Sequence, residues 1–320
     1  MLKADNKNTT RKHLRWALTC VAFFTLSAAA ALDARYTDAD GDLVADTPAK
    51  TVTPATLLFA YTPGEDPATY RTIWTDFLDH LEKAIGKPVR FFPAQSNTAQ
   101  IEAMRAGRLH IAAFGTGAVP IAVNCAGFVP FAIMGGEKGI LGYEMEIITH
   151  PGSGIRTPAD LKGRRLAFTS PTSNSGFKVP SVILRNEFGL EADKDYVAVF
   201  AGRHENSVLG VATRDYDAAA IANEVMHRMM ARGVVKREQI VTVYRSDRFP
   251  TAGFGLAHNL EPQLASKIRG AFFSFPWAGT ALLKEFSPLG VSRFMPINYR
   301  DDWAVVRQID MELKTRYACR

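Results

Sequence analysis

Ser173-Asn174-Ser175 puts two hydroxyls and an amide within three residues, between the apolar run 166–168 and the helical spacing of Val179, Val182, Ile183 and Leu184. That order predicts a strand, a polar turn and a helix start. The first N–H groups of a helix have no acceptor one turn earlier, and they sit at the positive end of the macrodipole, so such a place suits an oxyanion. The same serines could also cap their own helix. His204 stands just before the periodic segment 206–213 and either donates to an anion or caps that helix. Glu224 follows the apolar run 218–222, where a carboxylate accepts a ligand proton or amine, or complements the helix dipole. Phe114-Gly115-Thr116 and the loop 62–66, with Thr62, end two further apolar runs. In an open α/β sheet such carboxyl-end turns share one edge, which gathers these residues around one cleft.

No catalytic signature accompanies them. G-x-S-x-G, H-E-x-x-H, the Walker loop, the Rossmann glycines and C-x-x-C are all absent. Gly115-Thr116-Gly117 lacks the third glycine and the later acid of a dinucleotide site. A base beside Ser173 or Ser175 makes a hydrolase conceivable, but no nucleophile elbow and no third orienting group can be assigned. The expectation is a binding protein rather than an enzyme, with no cofactor and no bound metal.

The elements that position these turns follow from periodicity. Apolar runs at 57–60, 89–92 and 109–114 alternate with helical spacing over 70–85 and 98–106. That is a parallel sheet with crossovers. A second set follows: strands at 143–149, 165–168, 196–200, 218–222 and 240–245, with helices over 179–187, 205–213 and 225–232. A strand at 254–257 and helices over 262–275, 277–285 and 301–314 return to the first set. The architecture is therefore α/β and two-lobed: residues 55–149 with 254–320 form one lobe, and 150–253 an inserted second lobe, joined by two crossing strands.

Residues 1–31 read as an export signal: Lys3, Lys7, Arg11, Lys12 and Arg15 precede the apolar run 16–26 and a string of alanines. Removing them lowers the formal charge from +6 to +2, with 33 Lys and Arg left against 31 Asp and Glu. No long basic run remains, so nucleic acid is not an expected partner. About 290 residues suffice for one large or two medium domains. A monomer is expected. Residues 32–54 have no helical or strand period and read as an extended lead. Asp38, Asp40, Asp42 and Asp46 alternate as in a calcium loop, but Ala49 stands where its bidentate Glu belongs, which favours a solvated acidic stretch. The remaining cysteines are Cys125 and Cys319, too few for a disulfide scaffold; Cys319 is expected to fray, with a Cys125–Cys319 bridge as the alternative.

The chain resembles a known family, the periplasmic phosphonate/phosphite/phosphate-type solute-binding proteins of ABC transporters, the PhnD-like branch of the type II binding-protein fold. The resemblance rests on the residues from Ser173 to Pro180, an S-x-S-G-F-x-V-P loop, on His204-Glu205-Asn206-Ser207 with Leu209, Val211 and Ala212, and on Met104-Arg105-Ala106-Gly107 with Ile111, Ala112, Phe114 and Gly115. It implies a two-lobed periplasmic protein that closes on a small oxyanion and passes it to a membrane permease. It further implies that Ser173, Asn174 and Ser175 hold the anion, that His204 is a second contact, and that Glu224 falls on an acidic pocket position. Phe114 stands where a tyrosine is often found. Phe249-Pro250-Thr251-Ala252-Gly253 lacks the aspartate of amino-phosphonate binders, which favours phosphite, phosphate or methylphosphonate. Related sensory proteins hold arsenite on a cysteine and signal to a histidine kinase, so Cys125 raises that alternative.

Overall fold

Runs of Val, Ile, Leu, Phe and Ala that are apolar on both faces can form strands only where both faces are covered. In the computed structural model, which describes residues 32–317 and Cys319, those runs build two sheets. The export signal expected over 1–31 lies outside the described residues. β1 (Leu57–Ala60) pairs in parallel with β2 (Val89–Phe91) and β3 (Ile111–Phe114). β4 (Phe128–Gly136) runs into the short β5 (Gly139–Ile140). The chain then crosses to the second sheet: β6 (Gly142–Thr149), β7 (Arg165–Phe168), β8 (Val197–Phe200), β9 (Ala218–Ala222) and β10 (Val241–Pro250), in the order β10-β6-β9-β7-β8. It returns through β11 (Gly253–Ala257) and β12 (Arg293–Pro296), which complete the first sheet as β12-β4-β11-β3-β1-β2. The expected division at 149/150 assigned 143–149 to the first lobe; the strand order places β6 in the second sheet, so the chain changes lobes just before Gly142 and just after Pro250.

Each sheet has its own core. The first is aromatic: Phe59, Trp74, Phe77, Phe254, Phe272 and Phe294 pack with ring centroids 4.7–5.8 Å apart. Pairs at those separations are favourable beyond their buried area. The second is built around β9, whose Ala-Ala-Ala-Ile-Ala is buried throughout and lets helices sit close on either face. β4 has no counterpart among the expected strands. Pro130 demotes it as a sequence signal, and the ladder accommodates Pro130 at a register shift opposite Gly255.

The extended lead expected over residues 32–54 packs on the first core, where Val44 and Ala45 are buried and Val52 bridges Leu260. The carboxylates of Asp38, Asp40 and Asp42 converge within 4.8 Å, and they accept N–H groups of their own loop, Leu43 to Asp38 and Val44 to Asp42. Cys319 is not frayed. It forms a disulfide with Cys125 across 194 residues, fastening the tail to helix Val119–Ala126. Cys125 therefore carries no thiolate, which removes the chemical basis of the arsenite alternative.

Before that bond the tail spans both lobes. Trp303 Nε1 donates to the Thr116 carbonyl at 3.0 Å. Asp310 lies 2.6 Å from Lys178 Nζ, both nearly fully buried, and accepts from the Tyr317 hydroxyl at 2.8 Å. Native protein should show no titratable thiol at Cys125 or Cys319, and replacing both by serine should cost about 2–4 kcal/mol of unfolding free energy. Two reactive thiols per native molecule, or an unchanged denaturation midpoint, would contradict the bond.

Candidate ligand-binding cleft

β7 ends at Phe168, and the chain turns through 169–173 into the wide helical turn Asn174–Lys178 before helix Val179–Phe188 begins. Wide turns of this kind concentrate at functional sites. Ser173 caps it: its Oγ accepts from Gly176 N at 2.9 Å. Gly176 is required, because a Cβ there would collide with Thr169. Asn174 and Ser175 are the first residues of the run, so their N–H groups have no acceptor one turn earlier. Asn174 Nδ2 donates to the Tyr143 hydroxyl at 3.1 Å.

His204 opens helix His204–Ala212. Its Nδ1 faces the Ala222 N–H at 3.1 Å and so must be the acceptor. Nε2 then carries the proton and points it at Ser173 Oγ, 3.3 Å away. Loss of water, and then the charge of Arg228, push the His204 pKa down to about 3. The imidazole is neutral and a fixed donor. Glu224 lies in the first turn of helix Asn223–Ala231, with 25% of its side chain accessible. Burial raises its pKa against the opposing pull of Arg228.

These groups line a cavity of about 150 Å³ between the lobes, together with Thr62, Thr116, Tyr143 and Arg228. Thr116 is less free than its sequence position suggests: its hydroxyl donates to the Pro250 carbonyl at 2.7 Å, where the chain changes lobes. Phe114 is not a cleft residue. It is fully buried, its ring 4.7 Å from that of Phe128 in the first core. Of the eight residues singled out from the sequence, the structure brings seven to the cavity and sends Phe114 inward.

The lobes are closed over this cavity. Asn97 Nδ2 donates to Thr172 Oγ1 at 3.2 Å, Arg203 pairs with Gln95, Asp66 N donates to Glu205 at 2.9 Å and Lys178 Nζ donates to the Gly117 carbonyl at 2.8 Å. A Cβ on Gly117 would come within 2.6 Å of both Asn174 N and Thr172 O, so this approach requires glycine. Sequence reasoning passed over Tyr143, Asn97 and Arg228. For Arg228 a signal existed, since it lies one helical turn beyond Glu224 on the same face.

Three comparisons bear on this geometry. The profile of the family described as "ABC transporter, phosphonate, periplasmic substrate-binding protein" matches residues 59–303. The Phosphate-import protein PhnD of Mycolicibacterium smegmatis is 30% identical over 279 residues, 83% of this chain and 85% of that one. The Phosphonates-binding periplasmic protein of Escherichia coli is 27% identical over 223 residues, 68% of this chain and 66% of that one. Among solved structures, a binding protein component of an ABC phosphonate transporter from Pseudomonas aeruginosa superposes with a TM-score of 0.74 at 24% identity, covering 82% of this chain and 87% of its own. PhnD1 from Prochlorococcus marinus, in complex with methylphosphonate, gives 0.73 at 16% identity, covering 82% and 100%. Both are likenesses of fold: two sheets flanked by helices, as in type II periplasmic binding proteins.

The His204 environment makes stability depend on pH in a definite direction. Below pH ~6.5 the unfolded chain protonates this histidine, whereas the folded protein keeps it neutral until about pH 3. Stability contributed at neutral pH is therefore lost progressively as pH falls through that window. Relative to His204→Gln, the wild type should lose on the order of 2 kcal/mol between pH 7 and pH 4.5 in chemical denaturation. Parallel pH profiles for the two proteins would show that the imidazole protonates freely in the fold.

Proposed function

The chain belongs to the family of periplasmic substrate-binding proteins of phosphonate ABC transporters, and on that premise we propose that it is the exported component that captures a small phosphorus oxyanion, phosphite, phosphate or an alkylphosphonate, between its lobes and delivers it to an inner-membrane permease. In this reading residues 1–31 are the export signal and the periplasm is the working compartment. Ser173, Asn174 and Ser175 hold the anion's oxygens through hydroxyls and N–H groups, His204 Nε2–H donates, and Thr62 closes from the first lobe. Tyr143, whose hydroxyl accepts from Asn174 Nδ2, joins them. The names of the relatives, phosphate import in one and phosphonates in another, agree with that ligand class.

One observation carries the reading: a helix start with unpaired N–H groups and a neutral histidine whose only proton points inward meet at one small closed cavity. Donors of this kind hold an anion without a stripped Lys/Arg patch, and closure excludes water around them. The same geometry argues against hydrolysis. A base needs a bare Nε2 facing Ser173, with Nδ1–H held by an acceptor, and here both roles are reversed.

Titration calorimetry of the mature protein with phosphate, phosphite and methylphosphonate tests this directly. At least one should bind, and Ser175→Ala and His204→Ala should each weaken it about ten- to a hundredfold, the worth of a hydrogen bond to a charged group. Wild-type affinity in both variants, or turnover of a phosphate or phosphonate ester, would sink the assignment.

A further inference from the structure

Two guanidinium groups and three carboxylates meet at one end of the cavity. Arg228, 3% exposed, donates through Nη2 to Glu65 at 3.3 Å and to the Tyr70 hydroxyl at 3.2 Å. Its Nε lies 3.6 Å from Glu285. Arg232 bridges Glu65 and Glu285. The charges of Arg228, Arg232, Glu65 and Glu285 balance. Glu224 is then the surplus carboxylate, one turn before Arg228, with Arg228 Nη1 3.7 Å from its Oε2.

That separation is too long for a hydrogen bond. Both partners keep bonding capacity: Nη1 and Nε of Arg228 have no acceptor within hydrogen-bonding distance, and Glu224 opens to the cavity that Arg228 also lines. A buried guanidinium N–H without an acceptor is costly, so a ligand oxygen is favoured there. A carboxylate only accepts, so Glu224 asks the ligand for a proton on oxygen or nitrogen. A cationic nitrogen seated against Glu224 would also lie within a few ångströms of the Arg228 guanidinium, in a place with little water to screen the repulsion.

We propose that Arg228 is a specificity-determining residue of the cleft: with Glu224 it reads one P–O acceptor and one P–OH donor of a compact oxyanion, and it turns away oxyanions that carry an ammonium tail. This rests on the phosphorus-oxyanion reading above. It also sets aside fully ionised anions without a hydroxyl, sulfate foremost, because they have nothing to give Glu224.

The test titrates wild-type protein with phosphate, methylphosphonate, 2-aminoethylphosphonate and sulfate at one pH. The better of phosphate and methylphosphonate should bind at least tenfold more tightly than either 2-aminoethylphosphonate or sulfate. In Arg228→Gln the preference for methylphosphonate over its aminoethyl relative should shrink at least tenfold, whereas Arg228→Lys should largely keep it. Glu224→Gln should weaken the preferred ligand at least fivefold without admitting 2-aminoethylphosphonate. Should Arg228→Gln not fold, the wild-type ratios and Glu224→Gln decide. Equal wild-type affinity for methylphosphonate and 2-aminoethylphosphonate, or a folded Arg228→Gln with an unchanged ratio, overturns the inference while leaving oxyanion binding intact. Binding of none of the phosphorus ligands overturns the oxyanion reading itself, and this inference with it.

Discussion

Glu65 is a carboxylate with no contact with water, and what makes its burial tolerable comes from the opposite lobe: Arg228 and Arg232, on and just beyond helix Asn223–Ala231. An uncompensated buried charge is expensive, whereas a paired and hydrogen-bonded one is roughly neutral. The closed arrangement and the positions of these side chains therefore depend on each other. Glu285 completes the network, and the Arg228 guanidinium rests over the Phe286 ring at 5.2 Å. Separating the lobes would return Glu65 to water and leave Arg228 beside Glu224 alone. A charge network of this kind adds little to net stability, and here it pairs groups of one lobe with groups of the other.

Within that closed frame the cleft uses groups whose orientation is already fixed. His204 cannot rotate its proton away without giving up the Ala222 N–H. Asn174 is held by Tyr143, and at the cleft a Cβ would collide with the Thr169 side chain at Gly176 and with the backbone of Thr172 and Asn174 at Gly117. Preorganised donors spend little entropy when a ligand arrives. Lys178 contributes differently. It never reaches the cavity; buried between the Gly117 carbonyl and Asp310, it ties the start of helix Val179–Phe188 to the first lobe and to the C-terminal helix.

Much of this was legible from pattern alone. Alternating strand and helix periods revealed two α/β units, and the recurring strand-to-helix turns picked out Ser173–Ser175, His204, Glu224, Thr116 and Thr62 as neighbours. Three things were not legible, each for a physical reason. Pairs distant in the chain leave no local trace: Glu65 and Arg228, which meet across the lobes, are 163 residues apart, and Cys125 and Cys319, both on the first core, are 194 apart, so the sequence offered their bridge only as an alternative to a frayed tail. A strand buried on both faces does not announce which face meets the cleft, so Phe114 looked like a site residue although its ring belongs to the core. And Pro130 concealed β4, because proline normally marks the end of a ladder rather than a bulge within one.

The central claim is that the anion is held between the lobes by the start of the helical run at Asn174 and by the neutral imidazole of His204. A crystal structure of the mature protein with methylphosphonate tests it most directly. The account expects the three phosphonate oxygens to lie within about 3 Å of donors among Ser173, the Asn174 and Ser175 N–H groups and His204 Nε2. It also expects the His204 Nδ1 contact with Ala222 to be retained. A phosphonate found outside the interlobe cavity, or inside it with His204 turned away and the N–H groups of Asn174 and Ser175 unengaged, would contradict it.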